Sequence, residues 1–529
     1  MKKNLLIVIL IFCFDNFYGQ YSFNIDWQKS WGGTAEDFGN DIKATKDGGF
    51  ITICTTRSTD QMVLDLHGYN YDAWVVKSDA QGNVIWKKCY GGTKDDYGKS
   101  IIQTSDGGYL FVADTKSNDG NLTTHYGLQT KKDVWVVKLD SNGNLIWQKN
   151  IGGSDDDEAH SVLEVDDGYL VIGETYSSDY DFTINRGNND AFASKLNRDG
   201  VLVWSKTYGG GGGDYMMQAI KNSNGTFTIL GGASSRYGDL EYSGYHMNGS
   251  GVFYGDLWLV NISTEGELLR SKCFGSFTED NGRTLSPSHD GGFILAGTTT
   301  SNGGDVSGLR SVQDIWIAKI DANWNIIWQR CYGGTAIESP AMILQDHTGG
   351  YVFAGSTSSN NFDVIGNHHS DNNDFSNDIW LVKIAENGNI SWQRCLGGSA
   401  GETAYGLTVT ANGKFALIGN TTSRDGDVIG RTNTGQDIWI LQVQPVTLSV
   451  DNNSFFSKIF ILSNPVEEDL IIQSDYKILQ IKITDLSGRL IYQTKENIRK
   501  INLGNMFSGT YLIEFTTANG INRQKFIKK

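Results

Sequence analysis

Hydrophobic positions along this chain fall in short runs broken by polar turns, and the pattern repeats about every sixty residues. In the unit from Asp95 to Gly153, Ser100–Thr104 is a short alternating run ended by Asp106-Gly107-Gly108, and Tyr109–Ala113 is a second, apolar run. A polar stretch from Lys116 to Lys132 leads to a third run, Val134–Leu139. Ser141-Asn142-Gly143 then turns the chain into a fourth, Asn144–Gln148. Asp-Gly and Asn-Gly between β-rich runs are hairpin signals, because tight turns need backbone angles that glycine adopts without steric cost. Four antiparallel strands per unit predict a propeller blade.

A marker of the form Trp-x-x-x-x-Gly-Gly punctuates the units: Trp27…Gly32-Gly33, Trp86…Gly91-Gly92, Trp147…Gly152-Gly153, Trp204…Gly209-Gly210, a degenerate Leu269…Gly275-Ser276, Trp328…Gly333-Gly334 and Trp392…Gly397-Gly398. Its spacings of 59, 61, 57, 66, 58 and 64 residues point to a repeat architecture. Asn24–Lys29 matches fourth strands such as Ile326–Arg330, whereas the last unit stops after a third strand, Asp437–Ile440. The N-terminal strand is therefore expected to complete the last blade. The expectation is all-β: a seven-bladed β-propeller over residues 20–446, its termini joined in one blade so that no edge stays open. The Gly-Gly corners and the second-to-third-strand loops share one face, with the longest loops at Ser234–Gly255 and Thr357–Asn377. Long loops on a rigid scaffold usually carry recognition, so a ligand is expected there.

Charge narrows the partners. The chain carries a net −16; residues 457–529 hold +4 and residues 1–19 hold +1, leaving about −21 on residues 20–456. So acidic a body argues against nucleic acid, which needs a basic face. Lys2 and Lys3 before the apolar run Leu5–Phe14 read as a secretory signal peptide over residues 1–19, too short to span a bilayer. No later run is long enough to be a transmembrane segment. Cys13 follows Phe12, unlike a lipoprotein cysteine, which follows a small residue. Of the five later cysteines, Cys89, Cys273, Cys331 and Cys395 occupy one repeat position, which Ser30, Asn150 and Thr207 fill elsewhere. Equivalent positions in different repeats are too far apart for disulfides, so buried thiols are expected.

Candidate chemistry lies in three families of acids. The first stands four residues past the second glycine: Asp37, Asp96, Asp157, Asp214, Asp280, Glu338 and Glu402. Each precedes an innermost strand, so the seven are expected to ring the channel mouth. Their hard oxygens would suit a metal such as Ca²⁺, or each would cap amides of its own loop. The second family precedes the third strand: Asp72, Asp133, Asp190, Asp256, Asp314, Asp378 and Asp437. The third lies in the long loops: Asp65, Asn121, Asp181, Asp239, Asp305, Asp363 and Asp427. Asp425-Gly426-Asp427-Val428 resembles part of a calcium loop, although the full ligand pattern is absent. His368-His369 with Asp371 and Asp374 is a further loop cluster able to bind metal. No metalloprotease helix motif, serine-hydrolase elbow or phosphate loop occurs. An enzyme would concentrate irregular polar residues on the axis, whereas the acids recur in every unit.

After a linker over residues 447–457 the pattern changes. Ile461-Leu462-Ser463-Asn464-Pro465-Val466 leads to Asp469–Ile472, then to Ile481-Lys482-Ile483-Thr484-Asp485-Leu486-Ser487-Gly488-Arg489. Ser508-Gly509-Thr510-Tyr511-Leu512-Ile513 and Lys525–Lys529 follow. Residues 458–529 resemble the type A C-terminal sorting domain of the type IX secretion system, departing at Ser463, where an aromatic or Pro is frequent. The resemblance implies an Ig-like β-sandwich, the secretion machinery as partner, and delivery to the outside or outer-membrane surface of a Gram-negative bacterium. The expected function is a non-enzymatic binding or adhesion scaffold for glycan or protein; an extracellular hydrolase or lyase using the mouth carboxylates is the alternative.

Overall fold

The structure, a computed structural model, describes residues 22–246, 254–368, 376–431, 435–446, 459–462, 465–474, 476–485, 489–504, 506–517 and 520–529. The signal peptide and the linker lie outside the described residues. The chain divides into two compact units between Gln444 and Pro445.

Among the described residues of the first unit there are seven four-stranded sheets. Sheet one runs Asp37–Ala44, Phe50–Thr56, Asp72–Ser78 and Val84–Tyr90, each strand antiparallel to the next. The first strands of sheets two to seven are Asp96–Gln103, Asp157–Val165, Asp214–Lys221, Asp280–Pro287, Glu338–Gln345 and Glu402–Val409. Each packs on its successor, and Glu402–Val409 packs back on Asp37–Ala44, so the cycle closes. Sheet seven takes its fourth strand from the other end of the chain: Ser22–Trp31 lies beside Asp437–Val446. Second and third strands are buried along their whole length in most sheets, because neighbours cover both faces. This is why they read as nearly unbroken apolar runs.

In five of the seven sheets the Trp of the punctuating motif ties its sheet to the next. Its indole N–H donates to the third-to-fourth-strand turn of the following sheet: Trp27 to Ala80 O at 2.9 Å, Trp86 to Ser141 O at 3.2 Å, Trp147 to Arg198 O at 3.2 Å and Trp328 to Glu386 O at 2.8 Å. The turn glycine lies on the ring. Gly143 has φ +73°, and a Cβ there would stand 2.8 Å from Trp86. Trp27 makes this contact from sheet seven to sheet one, so it behaves as a fourth-strand residue. The degenerate unit keeps the lock by exchanging its parts. The structure places Arg270, not Leu269, at the position of the strand Trp: it pairs with Asn261 as Trp328 pairs with Lys319, and it donates to Asn323 O. Trp324 occupies the glycine position of the next turn at φ +59°, buried with Arg270 4.1 Å from its ring.

The third-strand Trp of most sheets is satisfied by the residue after the fourth-strand motif Trp, or by Ser271 in sheet four. Trp135, Trp316, Trp380 and Trp439 donate to Gln148, Gln329, Gln393 and Gln28 at 2.7 to 3.0 Å, and Trp258 to Ser271 at 2.8 Å. In sheet one Lys87 stands in the Gln position and has no acceptor to offer, so the Trp74 indole N–H is buried without a partner. The five cysteines among the described residues are free and buried, each a cross-strand neighbour of a third-strand Trp.

The second unit is also all-β. Ile459–Ile461, Asp469–Ser474 and Lys500–Asn502 form one sheet. Leu490–Thr494, Ile478–Asp485, Gly509–Thr517 and Gly520–Lys528 form the other. Ile472, Ile483, Ile513 and Phe526 belong to its single apolar core. No helix among the described residues is long and apolar enough to cross a membrane.

The unpartnered indole yields a prediction. Lys87→Gln should stabilise the first unit by about 1 kcal/mol by supplying the missing acceptor. Chemical denaturation followed by tryptophan fluorescence checks this, since all 14 tryptophans lie at or before Trp439.

Candidate functional site

The seven first-family acids, Asp37, Asp96, Asp157, Asp214, Asp280, Glu338 and Glu402, are fully buried. Each accepts the amide N–H of the second residue of its Gly-Gly or Gly-Ser pair, at 2.6 to 3.1 Å. Asp96 also accepts from Ser117 Oγ at 2.9 Å and from Thr115 Oγ1. Asp37 and Asp157 repeat the set with Ser58 and Thr56, and with Ser177 and Thr175. The longer Glu338 and Glu402 reach Thr357 and Thr421 at 2.8 and 2.7 Å. The expected position at the open channel mouth is thus corrected: these carboxylates sit under the corners, turned toward their own loops. The reason is the backbone, whose corner amides would otherwise be buried without acceptors. Among the described residues no group of three or more His, Cys, Asp or Glu is arranged to hold a metal ion.

The other two families complete the corner. Asn121, Asp181, Asp239, Asp305 and Asp363 accept the amide of the first glycine at 2.9 to 3.4 Å. Asp425 accepts from Ser399, and Asp427 pairs with Arg394 at 2.7 Å. The second-family acids approach from the preceding sheet. A Cβ on Gly91 would lie 2.5 Å from Asp96 and 2.7 Å from Asp72, so two carboxylates converge where only glycine fits. Burial, opposed by its hydrogen bonds and reinforced by the neighbouring carboxylate, pushes Asp96 up to about 7. Burial likewise raises Asp157 and Asp133 to about 7.

Sequence reasoning missed the counterions. His67, His246 and His368 hold Asp72, Asp256 and Asp378 through Nδ1 at 2.7, 2.9 and 2.6 Å. Arg186 and Arg431 hold Asp190 and Asp437 at 2.7 and 2.8 Å. Several also reach the next sheet: His246 lies 3.7 Å from Asp305, His368 3.8 Å from Asp427, and Arg310 pairs with Asp363. His368 is therefore a structural hydrogen-bond partner of Asp378; His369, Asp371 and Asp374 lie outside the described residues. Variable loop length hid this family, since the basic residue precedes its Asp by four to ten positions.

What faces the axis is different. Every first strand carries one β-bulge, always at its fourth residue, where the pairing skips Asn40, Lys99, His160, Met217, Arg283, Ala341 and Tyr405. Bulges re-aim side chains, and all seven of these line one axial cavity of about 260 Å³. Chambers of about 450 and 580 Å³ adjoin the ring on the side of the Gly-Gly corners. The frame repeats, but the residues it presents do not. A readable signal existed: the third residue after each first-family acid is the position where the repeats disagree. Within this ring Lys99 is matched by Asp114 at 2.7 Å, and Glu158 by Lys132 at 2.6 Å.

The corner face is rich in exposed apolar groups. Leu64 and Tyr69, Leu128, Tyr180 and Ile184, Tyr237 and Tyr242, Val312, Phe362 and Ile365, and Ile429 are exposed on the second-to-third-strand loops of the seven sheets in turn, Tyr69 and Tyr242 at 93% and 92%. The described parts of the two longest loops contribute Tyr237, Tyr242, Phe362 and Ile365 to this set.

Comparison with known proteins identifies the second unit. Residues 461–529 match the family of secretion system C-terminal sorting domains. The chain thus carries a type IX sorting domain, which indicates export to the cell surface or medium. No curated protein matches the chain. Solved structures with similar folds include a protein of unknown function from Dyadobacter fermentans (13% identity, 80% of this chain and 99% of that one, TM-score 0.39). The WD40 domain of Neurospora crassa Pan2 (9%, 79% and 95%, 0.41) and a puromycin hydrolase (9%, 90% and 58%, 0.40) are others. The all-β fold has propeller-like neighbours, and none is similar enough to transfer an activity.

Two predictions follow from the corners. Asp96→Ala should destabilise the first unit by about 2–5 kcal/mol, because it strands buried N–H and O–H donors, and by more than Asp96→Asn, which keeps an acceptor. Denaturant midpoints give the order. The pH dependence has a definite sign. Asp96, Asp133 and Asp157 take up protons near pH 7 when folded but near 3.8 when unfolded. Stability therefore falls as pH rises between about 4 and 7. His67 and His246, hydrogen-bonded to carboxylates and raised above 6.5, act the same way, their contribution being lost as pH rises past their folded pKa. Asp47, held down to about 2 by Thr45 and Lys77 against the effect of burial, reverses the trend in stronger acid. The thermal midpoint by tryptophan fluorescence should be higher at about pH 5 than at pH 8, and fall again below about pH 4.

Proposed function

We propose that this is an exported binding protein: a seven-bladed β-propeller closed by its N-terminal strand, followed by an Ig-like sorting domain, binding a glycan or a protein outside the cell through its long-loop face. The observation that carries the reading is the crown of aromatic and aliphatic side chains on that face, exposed on every sheet. Exposed apolar groups concentrated on one face of a rigid scaffold, with tyrosines offering a flat ring and a hydroxyl, suit sugar faces or a protein partner. The seven buried acids are assigned to capping of the corners, not to Ca²⁺, since each accepts a corner amide and at least one Ser or Thr hydroxyl.

A second reading, an extracellular hydrolase or lyase, draws on the unlike polar residues of the bulge ring. It would have to use those residues, because the corner carboxylates are committed to the backbone.

One experiment separates the readings. The mature chain applied to a glycan array and to envelope proteins should show a ligand whose binding drops at least about tenfold in a Tyr69→Ala/Tyr242→Ala variant with an unchanged melting temperature. New reducing ends or unsaturated products from polysaccharide would favour the enzyme; binding unaffected by the variant removes the loop face as the site.

A further inference from the structure

The bulge ring holds one charge with no partner. Arg283 stands at the fourth position of Asp280–Pro287, reaches solvent inside the axial cavity, and among the described residues makes no ion pair or hydrogen bond. Its neighbours in the 450 Å³ chamber include the neutral Tyr215, Tyr405, Asn281, Ser339 and Thr403, and the one carboxylate in the lining, Glu174, lies 3.5 Å from His160 and not in an ion pair with Arg283. Enclosure by protein lowers the guanidinium pKa, so the charge is held there at a cost. The other charges facing the ring are matched. Lys99 lies 2.7 Å from Asp114 and 3.4 Å from Glu158, Lys43 2.6 Å from Asp41, Lys132 2.6 Å from Glu158, and His160 3.5 Å from Glu174. Across the axis, in the adjoining chamber that also reaches Tyr405, three aromatic rings cluster: Phe38 and Tyr71 with centroids 6.0 Å apart, Tyr71 and Tyr97 5.4 Å apart.

We propose that the axial chambers bind a short acidic saccharide, with Arg283 receiving the carboxylate of a uronic acid residue and Phe38, Tyr71 and Tyr97 offering faces on which a neighbouring sugar ring stacks. A guanidinium presents parallel N–H donors that match a carboxylate bidentately. One unpaired cation calls for one negative charge; a phosphate dianion would leave an excess charge inside a body already acidic. Asn281, Ser339 and Thr403 supply the mixed donors and acceptors that sugar hydroxyls require. The chambers lie within the size range of small-ligand pockets. The net −16 of the chain also disfavours a long polyanion along the outer face, which restricts the ligand to a short segment entering the axis. This site is separate from the exposed loop crown, and either can fail alone.

The test is isothermal titration of the full mature chain with uronate trisaccharides (galacturonate, mannuronate and glucuronate-containing), each paired with its methyl ester. At least one acid should bind, its ester at least about tenfold more weakly, with affinity falling as salt is raised. Arg283→Gln should weaken binding of that acid at least about tenfold, and Tyr97→Ala should weaken acid and ester alike. The Tyr69→Ala/Tyr242→Ala variant should leave the affinity unchanged, which distinguishes the axis from the loop crown. Arg283→Gln should melt at the same or a higher temperature, since it removes an unpaired enclosed charge and no contact. The proposal is overturned if no uronate binds the folded chain, if ester and acid bind equally, if Arg283→Gln binds as the parent does, or if that variant melts lower and so marks Arg283 as structural.

Discussion

The buried carboxylate at each Gly-Gly corner is the interaction on which the rest of the structure depends. A chain leaving the outer strand of one sheet must cross to the inner strand of the next, and its amides are buried in the crossing. An acid four residues past the second glycine accepts one of those amides, and at five corners a loop Asp, or Asn121, of the same sheet accepts the other. Serine or threonine hydroxyls add further hydrogen bonds to each first-family carboxylate. Removing the side chain from the glycine makes room for the carboxylates, and the carboxylates make the corner tolerable without water. Neither half works alone, which explains why the glycines and the acids recur together at fixed spacing.

The price of this arrangement is a ring of paired buried acids, and the structure offsets it locally. Histidine and arginine side chains from the long loops lie against the second-family acids, and several extend to the next sheet. The corner is therefore both a backbone device and an electrostatic joint. This separates two kinds of residue that look alike in the sequence. Acids that repeat in every unit serve the frame, whereas the bulge residues, which differ in every unit, face the axis.

Much of the frame was legible in the sequence. Strand runs, Asp-Gly and Asn-Gly turns and the Trp-to-Gly-Gly interval located four strands per unit and the pairing of Ser22–Trp31 with Asp437–Val446, because each follows from a period or a local turn rule. Free buried thiols followed from the shared repeat position of Cys89, Cys273, Cys331 and Cys395. The direction in which Asp96 and its equivalents point did not follow, since a residue starting an inner strand can face either the channel or its own corner. Only the geometry of the glycine amides decides between them. The counterions were hidden by loops of unequal length, and the ring by the bulge, which adds one residue and so breaks the alternation that assigns side chains to faces. Trp324 shows the limit most plainly: the missing Trp of the fifth motif had moved to a turn over fifty residues later, where no spacing rule looks for it.

The pairing of the first strand with the last sheet has a consequence for the order of events in folding. Gln28 and Trp439 are separated by 411 positions, yet they share a hydrogen bond. Sheet seven cannot be finished until its third strand has been made, so the earliest residues of the module wait longest for their partners. Contacts of such long sequence separation form late. Until then the ring is an open arc with an unpaired edge at each end, and the closing strand acts as a latch.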